Sequence, residues 1–197
     1  MNCFRTTYPV RSLRIPGCYE ITTPRHVDKR GALVKIYNIH DCPPQLSLSP
    51  LAEEFYTSSV SNTLRGLHVQ LPPMDGVKLV TCIHGAVMDV VLDLRAGSPT
   101  CGQHEIIHLS DAASSVLCIP PGVAHGFYVP VGGAVLLYRM DKVHSPAHDT
   151  GVHWCSAGID WPDKHPIVSD RDASLPPLAA FQSPFTFQPE SLPSFVS

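Results

Sequence analysis

Three cationic or titratable side chains lie close together in a segment that the sequence predicts to be β-strand. Arg65 and His68 fall within Leu64-Arg65-Gly66-Leu67-His68-Val69-Gln70, and Lys78 follows ten residues after His68. Cationic groups are seldom fully buried without partners, so their presence here predicts either a solvated rim or a pocket that receives an anionic group. We favour the pocket.

The predicted strand around His68 has one polar and one apolar face. Side chains alternate along a strand, so His68 shares a face with Gly66 and Gln70, while Leu67 and Val69 point to the other side. Taken alone, His68 is compatible with a surface histidine and Lys78 with a charge that protects a sheet edge. Their occurrence together is what favours a site.

The rest of the chain predicts a mostly β protein that can position these residues. Its 197 residues include 20 prolines, and its apolar residues form short runs separated by turn residues. A sandwich or double-sheet jelly roll fits the predicted strands at residues 32–38, 53–59, 66–70, 77–84, 85–93, 102–109, 115–119, 126–129 and 134–140. We expect one domain over residues 1–178, with a short helix near 170–173, and a loosely attached tail over 179–197.

Composition and charge argue against several classes of partner. The formal net charge is −3, so we expect no broad basic surface and no nucleic-acid partner. Seven cysteines without a CxxC pair, and an N-terminus without a signal-peptide pattern, are typical of a cytoplasmic protein with reduced thiols. The apolar runs are too short to span a bilayer, so we expect a soluble protein without a membrane partner.

A second histidine follows a tight turn in Pro120-Pro121-Gly122-Val123-Ala124-His125. This PxGxxH spacing is similar to the second half-motif of cupins. The first half-motif of metal-binding cupins, HxH followed by Glu, reads His68-Val69-Gln70 here, with no Glu before His84. Two separated histidines without a third ligand make a poor metal site, so we predict no metal and keep a metal-dependent cupin as an alternative class.

Several separate blocks of the chain form a further pattern. They are Asp28-Lys29-Arg30-Gly31, residues 64–70, Lys78-Leu79-Val80, residues 85–95, Ser98-Pro99-Thr100, residues 119–127, Tyr138, residues 158–162 and Ser169-Asp170-Arg171-Asp172. These blocks, in this order, resemble the dTDP-4-dehydrorhamnose 3,5-epimerase family, metal-free cupins that act on nucleotide-linked 4-keto-6-deoxyhexoses. The resemblance covers residues 20–177 and implies a jelly-roll cupin, a homodimer and a nucleotide-sugar substrate.

The resemblance implies a role for each matching residue. His68 would remove the proton beside the sugar ketone and Asp172 would orient it. Tyr138 would be the acid on the opposite face of the ring, and Lys78 would stabilise the enolate oxygen at C4. Arg65 and His125 would line the sugar pocket, and Arg30 would hold the diphosphate across a dimer interface. Further predicted substrate contacts are Gln70, Glu53, Phe55, His144 and Arg171.

Physical chemistry supports these roles independently. A proton beside a ketone is too weakly acidic for an unaided imidazole, so the site must stabilise the enolate while the base lies within hydrogen-bond reach. A carboxylate behind the imidazole fixes its tautomer, and inversion needs a second proton donor across the ring. The C4 ketone is itself the electron sink, so we predict no cofactor.

Two departures from the family concern substrate recognition. Glu53 and Phe55 replace a Gln-x-Asn pair that contacts the nucleotide, which changes the charge of the site. Val143 and His144 replace an aromatic pair that bounds the sugar. We therefore predict a C3 and C5 epimerase of dTDP-4-dehydro-6-deoxyglucose. The alternatives are a C3-only or C5-only epimerase, and a sugar-nucleotide-binding cupin without turnover.

Overall fold

The computed structural model describes residues 8–38, 40–46 and 50–189, and this part of the chain is built mostly from strands. The strands are β1 (Val10–Ser12), β2 (Tyr19–Thr22), β3 (Arg25–Asp28), β4 (Gly31–Val34), β5 (Glu53–Ser59), β6 (Leu64–Gln70), β7 (Lys78–Asp93), β8 (His104–Ser110), β9 (Ser115–Ile119), β10 (Val123–Tyr128), β11 (Ala134–Met140) and β12 (Asp149–Gly151). Helix α1 (Asp170–Ala173) and the 3₁₀ turns Pro44–Leu46 and Leu178–Ala180 complete the elements. None of the helices among these residues is long and apolar enough to cross a membrane.

Two antiparallel sheets share the long strand β7. Its first part pairs with β9 and β11, and its second part pairs with β8 and β10. The first sheet runs β1-β2-β9-β7-β11-β5 and the second β8-β7-β10-β6-β12. The predicted mostly β fold is confirmed, and two sheets sharing a strand have the arrangement of a cupin-type jelly roll.

Strand β7 passes from one sheet to the other at Gly85. This residue has φ +75°, and a Cβ at this position would lie 2.2 Å from the carbonyl oxygen of Gly133. Glycine is the residue that adopts such a conformation without steric cost. The turn predicted at His84-Gly85 is therefore wrong, because the chain continues as one strand where two were predicted.

The second sheet has an apolar core on each of its two faces. Between the sheets, Val80 and Leu136 pack with Val91 and Phe127. On the outer face of the second sheet, a further core joins residues from β6 and β7 to the C-terminal segment; its members include Leu67, Val69, Val90, Leu92, Trp161 and Phe185. The outer core therefore packs against the face of β6 that carries Leu67 and Val69, and so supports the strand that carries His68.

Most predicted elements between residues 53 and 140 are confirmed. Strands β5, β9 and β11 and helix α1 have the predicted bounds. Strands β1, β2, β3 and β12 were not predicted, because runs of three or four residues are too short to display an alternating pattern.

The segment after α1 is packed more firmly than expected. Phe185 is buried in the outer core, and the hydroxyl of Ser183 donates to the carbonyl of Leu94. The amide of Phe187 donates to the carbonyl of Ala96 over 2.9 Å. A loose attachment is therefore wrong for residues 181–187, because Phe185 is buried in the outer core and Phe181 packs against it. Residues 190–197 of the predicted tail lie outside the described residues, and the boundary at 178 stays a prediction.

Candidate active site

A cavity of about 380 Å³ opens between the two sheets. Ten of the twelve predicted site residues line it, namely Glu53, Phe55, Arg65, His68, Gln70, Lys78, His125, Tyr138, His144 and Arg171. Of the other two, Asp172 is hydrogen-bonded to His68, and Arg30 lies at the hairpin of β3 and β4, away from the cavity. Residues that are far apart in the sequence thus meet at one place.

The first sheet contributes Lys78 and Tyr138 to the cavity. In the register of β11, Tyr138 pairs with Phe55 of β5 and with Val80 of β7. Two residues further along β11, Met140 pairs with Lys78 of β7. Because side chains alternate along β7, Lys78 shares the inward face with the core residue Val80. The cavity therefore begins where the apolar core between the sheets ends.

The second sheet contributes Arg65 and His68 through an irregularity in β6. His68 pairs with His125 and Arg65 pairs with Phe127, so three steps along β6 match two steps along β10. Gly66 at this point has φ +109°, and a Cβ there would lie 2.6 Å from the carbonyl oxygen of His125. Such a bulge re-aims side chains near a site. It allows both residues to face the cavity, whereas strict alternation would separate them.

His68 and Asp172 form a tightly bonded pair. His68 Nε2 lies 2.7 Å from Asp172 Oδ1, and Asp172 Oδ2 accepts a hydrogen bond of 2.9 Å from the amide of Gly66. Burial would raise the pKa of the Asp172 carboxyl, but the hydrogen bond and charge of His68, the Gly66 amide and the charge of Arg171 together lower it. A charged carboxylate can only accept, so Nε2 of a neutral His68 carries the hydrogen. Nδ1 is then free to take up a proton.

Lys78 supplies a positive charge inside the cavity. Burial lowers the pKa of its ammonium group to about 8, although the negative charges of Asp149 and Asp89 oppose this effect.

Tyr138 supplies a protonated hydroxyl to the cavity. Burial, and to a smaller extent the negative charge of Asp89, raise the pKa of this hydroxyl far above its ordinary value. The Tyr138 ring stacks on Phe55, with ring centroids 4.8 Å apart and planes 9° apart.

A second, deeper pair joins His125 to Asp89. His125 Nε2 lies 2.8 Å from Asp89 Oδ2, and both residues are buried. Burial lowers the pKa of His125 and raises that of Asp89, because it disfavours the charged form of each group. Sequence reasoning did not assign Asp89 to the site. The available signal was a carboxylate inside the apolar run 87–92, which needs a partner once buried.

The outer part of the cavity holds polar groups that are bonded to one another. Asp149 Oδ2 lies 2.9 Å from His144 Nε2 and 2.7 Å from Arg171 Nη2. Glu53 accepts a 2.6 Å hydrogen bond from the backbone amide of His144. The Gln70 amide group bonds to the backbone of Met74 and Ser145. Asp149 was missed by sequence reasoning, because no motif or apolar run marks it.

The two predicted arginine contacts are placed differently. Arg65 is anchored by a 3.0 Å hydrogen bond from its Nε to the hydroxyl of Ser59 and lines the cavity. Arg30 lies on the hairpin of β3 and β4, pairs with Asp28 and has an 83% exposed side chain. The fold therefore does not bring Arg30 to the cavity of its own chain.

The cavity can support proton transfer beside a carbonyl group. It combines an oriented imidazole, a protonated phenol and an ammonium group, which correspond to a base, an acid and a charge that stabilises an oxyanion. Within the described ranges, no group of three His, Cys, Asp or Glu side chains is placed to hold a metal ion.

Comparison with known proteins identifies the family. The sequence profile of the dTDP-4-dehydrorhamnose 3,5-epimerases matches residues 12–180. The dTDP-4-dehydrorhamnose 3-epimerase of Streptomyces niveus is 36% identical over 166 residues, 83% of this chain and 80% of that protein. The dTDP-4-dehydrorhamnose 3,5-epimerase of Mycobacterium tuberculosis is 35% identical over 175 residues, 84% of this chain and 85% of that protein.

A solved structure agrees with these relatives. The dTDP-6-deoxy-D-glucose-3,5-epimerase of Legionella pneumophila, in complex with dTDP-4-keto-L-rhamnose, superposes with a TM-score of 0.84. It is 28% identical, and the match covers 92% of this chain and 99% of that one. The resemblance seen in the sequence blocks is thus confirmed, and the chain belongs to the dTDP-4-dehydrorhamnose 3,5-epimerase family of isomerases.

Proposed function

We propose that the protein epimerises a nucleoside-diphosphate-linked 4-keto-6-deoxyhexose at C3 and C5, with dTDP-4-dehydro-6-deoxyglucose as the substrate. The observation that carries this proposal is the meeting of the His68–Asp172 pair, Lys78 and Tyr138 at one cavity. The activities for which the relatives from Streptomyces niveus and Mycobacterium tuberculosis are named support it.

In this reaction His68 removes the proton from the carbon beside the C4 ketone. Nδ1 of His68 accepts the proton, and Asp172 stabilises the resulting imidazolium through Nε2. The electron pair of the broken C–H bond moves to the C4 oxygen, where the ammonium group of Lys78 stabilises the enolate. Tyr138 then donates its hydroxyl proton from the other face of the ring, and the enolate electron pair forms the new C–H bond, which inverts the carbon. Proton exchange with solvent restores the Tyr138 hydroxyl and the neutral His68.

Solvent exchange followed by NMR tests the proposal. With dTDP-4-dehydro-6-deoxyglucose in D₂O, we expect deuterium to enter at C3 and C5 in the presence of the protein. We expect His68→Asn and Tyr138→Phe to reduce epimerisation while dTDP still binds. If the wild-type protein binds dTDP but exchanges neither position with any dTDP, UDP, GDP or CDP ketosugar, it is a binding protein and the epimerase proposal is wrong.

A C3-only epimerase is the second candidate. The relative from Streptomyces niveus is named a 3-epimerase, and His144 lines the cavity at the position where the sequence departs from the aromatic pair of the family. The same NMR experiment separates the two candidates, since a C3-only enzyme leaves the C5 proton unexchanged.

We further propose that the protein is a cytoplasmic homodimer in which Arg30 serves the partner's cavity. The hairpin of β3 and β4 exposes Val27 and Leu33, which is unusual for large apolar side chains on neighbouring strands. Strand β5 pairs with β11 alone among the described strands, so its other edge is open beside the cavity. Six cysteines of the described residues are free thiols, which supports a reducing compartment.

A further inference from the structure

Thr57 of β5 lines the cavity, yet the reaction described above gives it no role. Its hydroxyl oxygen is buried and has no hydrogen-bond partner among the described residues. A buried hydroxyl without a partner costs free energy, because it has given up its hydrogen bonds to water. An unpaired polar group of this kind calls for an explanation, and its place in a cavity suggests a functional one.

The pairing of β5 with β11 brings Thr57 close to Tyr138. Phe55 pairs with Tyr138, and Thr57 pairs with Leu136, two residues before Tyr138. Side chains two residues apart on a strand share a face, so Thr57 lies on the same face of β5 as Phe55, on which the Tyr138 ring stacks. Thr57 is therefore the diagonal cross-strand neighbour of Tyr138, a position that a long aromatic side chain reaches.

Proton return places a negative charge on the Tyr138 oxygen, and the surroundings of this oxygen oppose that charge. Burial and the nearby Asp89 carboxylate raise the pKa of the Tyr138 hydroxyl. Hydrogen bonding by the Thr57 hydroxyl, and then the positive charge of Arg65, lower this pKa, because both favour the phenolate. Thr57 is thus the strongest of the groups that help Tyr138 to give up its proton.

We propose that Thr57 is a positioning residue for the acid of the reaction, whose hydroxyl donates a hydrogen bond to the Tyr138 oxygen as that oxygen loses its proton. This inference rests on the proposed function, because it takes Tyr138 to be the acid. The Tyr138 O–H bond breaks, the enolate electron pair forms the new C–H bond, and the negative charge passes to the phenolate. The Thr57 O–H bond stays intact.

The timing of this hydrogen bond explains why the hydroxyl has no partner in the resting site. A bond that forms only as charge develops stabilises the transition state for proton return without stabilising the resting phenol. Removal of the first proton by His68 does not involve Thr57. The inference therefore concerns one of the two proton transfers, and an experiment that separates them can test it.

Deuterium exchange and inversion at C3, measured separately, test the inference. When proton return from Tyr138 is slow, His68 exchanges its proton with solvent and returns deuterium to the same face, without inversion. With dTDP-4-dehydro-6-deoxyglucose in D₂O, NMR gives the initial rates of deuterium entry into unepimerised substrate and of formation of the inverted product. The ratio of these two rates reports how the enolate is divided between His68 and Tyr138.

Thr57→Val removes the hydroxyl and keeps the shape of the side chain. We expect the rate of inversion to fall by about 10- to 100-fold, the effect of losing one hydrogen bond to a charged group, while exchange without inversion continues. The ratio of exchange to inversion is then higher than in the wild type. We expect the loss to lie in kcat with KM little changed, and Thr57→Ser to recover most of the activity.

Thr22→Val is the matched control. It makes the same substitution at an exposed position of β2, outside the cavity, and we expect wild-type rates and ratio. The urea midpoint of Thr57→Val is expected to equal or exceed that of the wild type, because the lost hydroxyl was unpaired. Should Thr57→Val fail to fold, Thr57→Ala removes the same hydroxyl and is measured in the same way.

Two results would overturn the inference while leaving the proposed function intact. One is a Thr57→Val variant in which exchange and inversion fall by the same factor, and the other is a Thr57→Ser variant no more active than Thr57→Val. A wild-type protein that neither exchanges nor inverts C3 of any ketosugar nucleotide would instead refute the proposed function, and the role of Thr57 with it.

Discussion

Lys78 is the residue on whose charge the proposed reaction depends most directly. Its ammonium group has a pKa lowered to about 8 by burial, and it stabilises an enolate only when protonated. As pH rises through this value the charge is lost, so we expect kcat/KM to fall on the alkaline side, with a midpoint near the pKa of the free enzyme. A pH profile of kcat/KM for epimerisation measures this limb.

The variant Lys78→Met links the alkaline limb to this residue. It keeps the aliphatic stem but removes the charge, so we expect a loss of activity of about 10²- to 10³-fold, as when one donor to an oxyanion is removed. The remaining activity is expected to lack the limb near pH 8. An unchanged limb in Lys78→Met would assign it to another group.

Asp172 is expected to affect the rate more than binding. In Asp172→Asn the amide no longer fixes the tautomer of His68 or stabilises its protonated form, so we expect kcat to fall by about 10²- to 10⁴-fold. Asp172 is not one of the described residues that line the cavity. We therefore expect the affinity of Asp172→Asn for dTDP to stay close to that of the wild type. The neighbouring Asp170→Asn variant is the control. Equal kinetic losses in the two variants would contradict the assignment.

Sequence reasoning identified site residues best where a motif or a strand period marks them. His68 and Gln70 were predicted on one face of β6, and both line the cavity, while Leu67 and Val69 are buried on the other side. Asp149 could not be found in this way. Its place in the site follows from two contacts, with His144 and Arg171, and these exist only once β12 and α1 are folded against the cavity.

At the scale of elements, the local pattern predicted strands but not their irregularities. The bulge at Gly66 follows from how β6 pairs with β10, a contact between residues about sixty positions apart. The crossing at Gly85 likewise depends on Gly133, with which a side chain at position 85 would collide. A glycine in a strand indicates a bulge or a close approach, but not which partner strand requires it.

The C-terminal segment offers a test of what supports the second sheet. Phe185 is buried in the core on the outer face of this sheet. It lies so close to Gly122 that a Cβ at position 122 would be 3.0 Å from the Phe185 side chain. We expect Phe185→Ala to lower the free energy of unfolding by about 3 kcal/mol, the usual cost of removing a buried phenylalanine side chain. Urea denaturation measures the change. Val131→Ala is the control, since Val131 is 96% exposed, and equal midpoints for the two variants would mean that the segment gives no support.

At the scale of the whole molecule, the cavity of one chain has, among its described residues, no excess of cationic side chains over carboxylates. Arg65, Lys78 and Arg171 line the cavity, but Glu53 and Asp149 line it too, and Asp89 and Asp172 lie next to its histidines. Carboxylates therefore outnumber the cationic side chains in this group. Charged ligands need complementary charge, which the exposed Arg30 of a partner subunit would add.

Mixed dimers test whether Arg30 acts across subunits. We expect Arg30→Ala and Tyr138→Phe each to be impaired. When subunits with different affinity tags are co-expressed and the mixed dimer is purified, one of its two cavities combines an intact Tyr138 with the partner's intact Arg30. We therefore expect the mixed dimer to recover about half of the wild-type activity per dimer. His68→Asn mixed with Tyr138→Phe is the matched control, because both residues line the cavity of one chain and each mixed cavity stays defective. A monomer, or a dimer in which Arg30 serves its own chain, would show no recovery in either mixture, and the interface proposal would then be wrong.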